Sequence, residues 1–157
     1  SSGGSSGGSS GGSSGGSSSG DSSGPSGNYS GTTGYDVELK RILFEIEKNE
    51  NYEGALKDLE IYVYENPQNA NGWNLIGFAS RKLGKYEDAE LYYKTGLEIN
   101  PNHDDILAYQ GELYLETDRY ELALLNLDKL IELCVFNCDE KKELSEAIKK
   151  YESENNL

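Results

Sequence analysis

The stretch WNLIGFASRKLGKYEDAELYYKTGLEINP, residues 73–101, decides how this chain folds, because its punctuation recurs at a fixed interval. Tyr52, Tyr86 and Tyr120 stand 34 residues apart, and so do Ala55, Ala89 and Ala123. Gly77 and Gly111 keep the same interval, as do Pro67 and Pro101. A fixed period of this length marks one supersecondary unit used repeatedly. Within each copy, two helical patterns flank a short turn, KLGKY (82–86) or ETDRY (116–120). Small residues at Gly77, Gly111, Ala89 and Ala123 let two antiparallel helices approach closely, and each proline stops a second helix. A single hairpin of this kind cannot bury its apolar side, so copies must stack.

Residues 73–101 closely resemble the tetratricopeptide repeat: Trp73, Ile76, Gly77, Ala89, Tyr93 and Pro101 fall at signature positions. The following copy, LAYQGELYLETDRYELALLNLDKL, matches through Leu107, Gly111, Tyr114, Ala123, Leu127 and Leu130. The first copy is weaker, with Leu43 in place of the glycine, but Tyr52, Ala55, Leu59, Tyr62 and Pro67 keep the register. The resemblance implies an all-α, right-handed α-solenoid of three helix hairpins, with repeats near 36–69, 70–103 and 104–137. Beyond them, Leu144, Ile148 and Tyr151 lie on one face of a charged segment. That pattern predicts a C-terminal capping helix over 139–154, the seventh helix of a domain spanning 36–157.

The N-terminal segment is of another kind. Residues 1–34 hold fifteen Ser and thirteen Gly, joined only by Asp21, Pro25, Asn28, Tyr29, Thr32 and Thr33. Such a composition offers too little apolar surface to offset the entropy of ordering it, so residues 1–35 read as an extended, non-globular tail. Dense Ser and Thr suit O-linked sugars, and Asn28-Tyr29-Ser30 is a formal N-linked acceptor. Asn28, Ser30, Thr32 and Thr33 are therefore glycosylation candidates. Pro25, Asn28, Tyr29 and Tyr35 are the candidate anchors by which the tail would engage a neighbouring protomer.

The net charge of −14 lies almost wholly on the folded part, since Asp21 is the tail's only charged residue. An acidic surface argues against nucleic acid and anionic membranes as general partners, and no apolar run approaches the length of a membrane span. Paired carboxylates such as Asp104-Asp105 and Glu87-Asp88 sit at expected helix starts, where the helix dipole favours them. No phosphate-binding loop, nucleophile elbow or dinucleotide fingerprint is present. The chain reads as a non-enzyme without cofactor. One His and two Cys give too few ligands for a metal site.

Cys134 and Cys138, separated by Val-Phe-Asn, either form a disulfide pinning the capping helix to the last repeat or remain two reduced thiols. The bridge would mean an oxidising compartment. Together with the absence of Met, it favours export to the periplasm or cell exterior, with a cytoplasmic location if the Ser/Gly run is an engineered linker. The chain also resembles exported bacterial repeat proteins that have a Ser/Gly-rich start and a Cys pair before the last helix.

Carried across from the family, the concave-groove positions are Lys40, Arg41, Phe44 and Lys48 in the first copy. The second supplies Asn71, Asn74, Phe78, Arg81 and Lys82, the third Asp105, Tyr109, Glu112 and Glu116. Phe44 and Phe78 should lie side by side near Tyr109, with Arg41, Arg81 and the Asn74 amide around them. Aromatic rings, an amide and cations suit an extended peptide. Asp105 and Tyr109 stand where the family's carboxylate clamp needs cations, so that version does not apply.

The first functional expectation is a scaffold that self-associates into an extracellular filament or assembly, its tail engaging the next protomer. The second is a periplasmic or surface adaptor that binds another protein's extended peptide, with the tail as spacer. Deletion of residues 1–34 separates them: the first requires loss of high-molecular-weight species in light scattering, and an unchanged size distribution excludes it.

Overall fold

The computed structural model describes residues 34–157, and these build seven helices and no strand. They are α1 (Val37–Asn49), α2 (Tyr52–Glu65), α3 (Ala70–Lys82), α4 (Tyr86–Ile99), α5 (Asp104–Glu116), α6 (Tyr120–Leu133) and α7 (Asp139–Asn155). Consecutive helices pack as hairpins, and α1, α3, α5 and α7 also touch one another in sequence. That second row of contacts makes an all-α solenoid in which the first helix of each hairpin lines one face.

Local chemistry sets the helix ends. The side chains of Asp36, Asn51, Asn69 and His103 each accept a backbone N–H in the first turn of the helix they precede. Within each hairpin the chain reverses through one left-handed residue, and these also keep the 34-residue interval: Glu50 (φ 49°), Gly84 (φ 76°) and Asp118 (φ 57°). Only the middle copy uses glycine there, the residue for which this backbone is free of strain.

The core is a string of clusters rather than one centre. Leu39, Ile42, Leu59, Leu75 and Ile76 fill the junction of α1, α2 and α3. Ala89, Tyr93, Ile106 and Leu113 join the second hairpin to the third. Leu107, Ala123, Leu130, Leu144 and Ile148 hold α7 against the third hairpin. Leu144 is fully buried over Gly111, where an added Cβ would lie 2.6 Å from it. Tyr93 crosses Gly77 in the same way, leaving 2.5 Å between its ring and a Cβ built there.

Tyr35 differs from its expected role as a tail anchor for a neighbour. It is buried in the N-terminal cluster of its own chain, 4% exposed, because its ring completes the apolar contact between α1 and α3. The other anchors, Pro25, Asn28 and Tyr29, and the glycosylation candidates Asn28, Ser30, Thr32 and Thr33, lie outside the described residues.

Gly77→Ala tests the close approach. Alanine favours the helix intrinsically, but the Tyr93 ring would have to move, so a net destabilisation of about 1–3 kcal/mol is expected. A urea unfolding midpoint at or above that of the wild type would show that the ring contact is not limiting.

Candidate functional site

On the face lined by the first helices, a cavity of about 370 Å³ is bounded by Glu47, Phe78, Arg81, Lys82, Tyr109, Glu112 and Glu143. A second, of about 280 Å³, shares Arg81 and Glu112 and continues along α7 past Lys150, Tyr151 and Glu154. Together they form one ledge from α1 to α7. Its wall is aromatic: Phe78 and Tyr109 lie 5.1 Å apart between ring centroids, and Tyr52 packs on the other side of Phe78 at 6.2 Å.

Arg81 fixes this wall. Its guanidinium sits 5.6 Å from the Phe78 centroid and 5.7 Å from that of Tyr109. One Nη donates to Glu116, and the other donates to Glu112 at 2.9 Å. The arginine is only 4% exposed, so these bonds tie α3 to α5 within the protein. Burial lifts the Glu112 carboxyl above the usual range even though Arg81 opposes the shift.

The expected groove residues are thus divided. Phe78 and Tyr109 line the cavity with their rings 5.1 Å apart. Arg81 contributes as an internal strut, because Glu112 and Glu116 from the next repeat already satisfy it. Asn74 is fully buried, and its Nδ2 donates to the Tyr35 hydroxyl at 3.3 Å, so its amide does not face a ligand. Arg41 turns toward α2, paired with Glu38 at 2.7 Å and Asp58 at 2.9 Å, beside a different cavity at the N-terminal end of the stack. Phe44 is 55% exposed and, among the described residues, forms no ring pair with Phe78; Tyr52 holds that place. Glu47 and Glu143 were not in the expected set. Glu47 keeps the 34-residue spacing from Arg81, a signal present in the sequence; Glu143 comes from α7, outside the repeat register.

Away from the ledge, His103 caps α5. Its Nδ1 accepts from the Ile106 N–H, which leaves the proton on Nε2, 2.7 Å from the accepting Asn71 Oδ1. Burial pulls its pKa down, with Asp104 opposing. His103, Asp104 and Asp105 hold ligand-type atoms within 4.8 Å of one another, but both ring nitrogens of His103 are engaged, so the imidazole has no lone pair free for a metal. Cys134 and Cys138 are joined as a disulfide across Cα atoms 5.8 Å apart, a separation such a bridge spans without distortion.

Asp105 is strongly perturbed. It is 3% exposed, and its carboxyl is pushed up to about 7 by burial first, then by Asp104, Glu140 and Glu143. It faces Glu140 of α7, and two carboxyls bond only when one holds a proton. The unfolded value is about 3.9, so the folded state binds the extra proton between roughly pH 4 and 7. The resulting stabilisation is complete below that window and is lost as pH rises through about 7. Glu112 and Glu143, also raised by burial, act with the same sign. Asp105→Asn should flatten the decline in melting temperature between pH 5 and pH 8 and raise stability at pH 8. An unchanged slope would assign the decline to other groups.

Two models of the tetratricopeptide repeat match the chain, over residues 70–103 and 92–125. Anaphase-promoting complex subunit 3 of Schizosaccharomyces pombe is 28% identical over 97 residues, covering 62% of this chain and 14% of its own length. Tetratricopeptide repeat protein 37 of Xenopus laevis is 30% identical over 118 residues, covering 69% of this chain and 7% of its own. The chain therefore spans a small part of the curated relatives it matches. Among solved structures, the type III secretion translocator chaperone SycD of Yersinia enterocolitica superposes with a TM-score of 0.65 at 16% identity. That match covers 76% of this chain and 84% of the chaperone, a likeness of fold. The repeat register, the stacked hairpins and these matches agree: the chain belongs to the tetratricopeptide-repeat family.

Proposed function

We propose that this protein–protein interaction scaffold takes an extended, basic peptide of another protein along the α1–α7 ledge. The observation that carries the reading is the Phe78–Tyr109 wall flanked by carboxylates. Arg81 is consumed internally and the Lys82 ammonium lies 5.5 Å from the Phe78 ring centroid, which leaves the carboxylates of Glu47 and Glu143 as the charges of the lining directed to a ligand. The aromatic wall offers apolar contact to a ligand side chain, and the carboxylates beside it meet a positive charge. The overall charge of −14 steers the same class of ligand. A sequence relative is a subunit of the anaphase-promoting complex and a protein of like fold is a translocator chaperone, which is consistent with a scaffold role here.

Self-association through residues 1–33 into an extracellular assembly is the second reading. Its support is compositional, from a hydroxyl-rich segment long enough to reach another protomer, and from a Cys134–Cys138 bridge that suits an exported protein. Covalent sugars on that segment belong to the same reading.

The ledge is tested with a fluorescently labelled Gly-Ser peptide carrying central Phe and Arg, against the same peptide with Asp for Arg. The Arg peptide should bind at least about tenfold more tightly, a difference of about 1.4 kcal/mol, and weaken with salt. Glu47→Lys with Glu143→Lys, both exposed positions, should abolish the preference while leaving helicity intact. Equal anisotropy titrations for the two peptides would exclude the ledge as a basic-peptide site.

A further inference from the structure

A small cavity of about 140 Å³ lies where the turn between α6 and α7 folds back on the third hairpin. One side of it is apolar: Leu130 and Leu133 of α6, Phe136 of the turn, and the Cys134–Cys138 bridge. The other side is polar, with Asp104 at the start of α5, Asn137, and Glu140 in the first turn of α7. The bridge closes the turn covalently, so the wall stands before any ligand arrives and little ordering cost attends binding. None of these lining residues belongs to either cavity of the ledge.

Glu140 distinguishes this cavity from a dent beside exposed acids. It is only 7% exposed, yet among the described residues no cation pairs with it. A buried glutamate is rare unless it is paired. The side chain that faces it is another acid, Asp105, itself buried, whose Oδ2 has no hydrogen-bond partner among the described residues. The charged groups that act most strongly on Asp105 are Asp104, Glu140 and Glu143, all acids. The corner where α5 meets α7 therefore gathers negative charge beside an apolar wall, with no cation paired to Asp104, Asp105 or Glu140.

We propose that this cavity receives the side chain of a lysine from another polypeptide, its methylene stem against Leu130, Leu133 and Phe136 and its ammonium between Glu140 and Asp104. The two halves of the lining match the two halves of that side chain, an apolar stem and a compact charged head. A divalent cation needs oxygen ligands on all sides, whereas much of this wall is hydrocarbon and sulfur. A guanidinium is broad and flat, and the volume of the cavity is that of one slender side chain. Free lysine brings a carboxylate of its own, which the surrounding acids repel; a lysine within a chain does not. Val135, next to Phe136 and almost fully exposed, offers apolar contact to the residues that flank such a lysine. The inference is independent of the ledge and its peptide.

The test is an NMR titration of the full chain with acetyl-Gly-Lys-Gly-amide, compared with the same peptide carrying norleucine or Arg for Lys, and with free lysine. The Lys peptide should shift the amides of Asp104 and residues 133–140 saturably. The norleucine peptide keeps the stem without the charge and should bind at least about tenfold more weakly, the loss expected for a charge-assisted hydrogen bond. Glu140→Gln preserves the size of the side chain and should weaken the Lys peptide by about the same factor while helicity is unchanged. Asp104→Asn, at an exposed position, should act in the same direction. Equal binding of the Lys and norleucine peptides would overturn the proposal, as would full affinity in the Glu140→Gln chain or shifts confined to ledge residues 78–82 and 109–112. Arg peptide or free lysine binding as tightly as the Lys peptide would overturn the assignment to a lysine of another polypeptide.

Discussion

Arg81 couples the second hairpin to the third, and the shape of the concave face follows from it. Its guanidinium bridges Glu112 and Glu116 on α5 while lying against the rings of Phe78 and Tyr109. Removing one member of such a buried ion group leaves an uncompensated charge, which costs about 3–5 kcal/mol, far more than an exposed pair contributes. The exposed Arg41–Glu38–Asp58 pairs at the other end of the stack are of the second kind. In a solenoid, where each unit meets only its neighbours, one strong junction sets the local angle between repeats.

Most of the fold was legible from spacing. The 34-residue recurrence of Tyr52, Tyr86 and Tyr120 identifies second-helix starts, and all three open α2, α4 and α6. Gly77 and Gly111 mark places where a neighbouring side chain crosses an α3 or α5 backbone, as the Tyr62 ring also does at Gly72 of α3. The site was less legible, because repeat position describes geometry and says nothing of what occupies the space beside it. Asn74 and Phe44 illustrate this. Both lie at family groove positions, but α3 has a helix on either side and α1 has only one. Asn74 is sealed by Tyr35, whereas Phe44 stays in solvent. Arg81 carried an unambiguous charge signal, yet its partners are 31 and 35 residues away, a pairing that becomes visible only once α5 is laid beside α3.

The titrating groups follow the same logic. Asp104 and Asp105 look alike in sequence as first-turn carboxylates, and the dipole argument treats them equally. The fold separates them: Asp104 remains exposed, and Asp105 turns beneath α7 toward Glu140. Burying Asp105 beneath the last helix makes that junction sensitive to protons.

The loop between α6 and α7 raises a separate matter. Val135 is 96% exposed and Phe136 82%, both held out by the Cys134–Cys138 bridge. An apolar tip this accessible is a natural target for proteolytic cleavage. With the bridge intact, a cut between the two cysteines leaves α7 covalently attached, so that the protein gains only the mass of one water and keeps its capping helix. Only reduction would release the fragment, and the same nick would then strip the cover from Gly111 and Leu107.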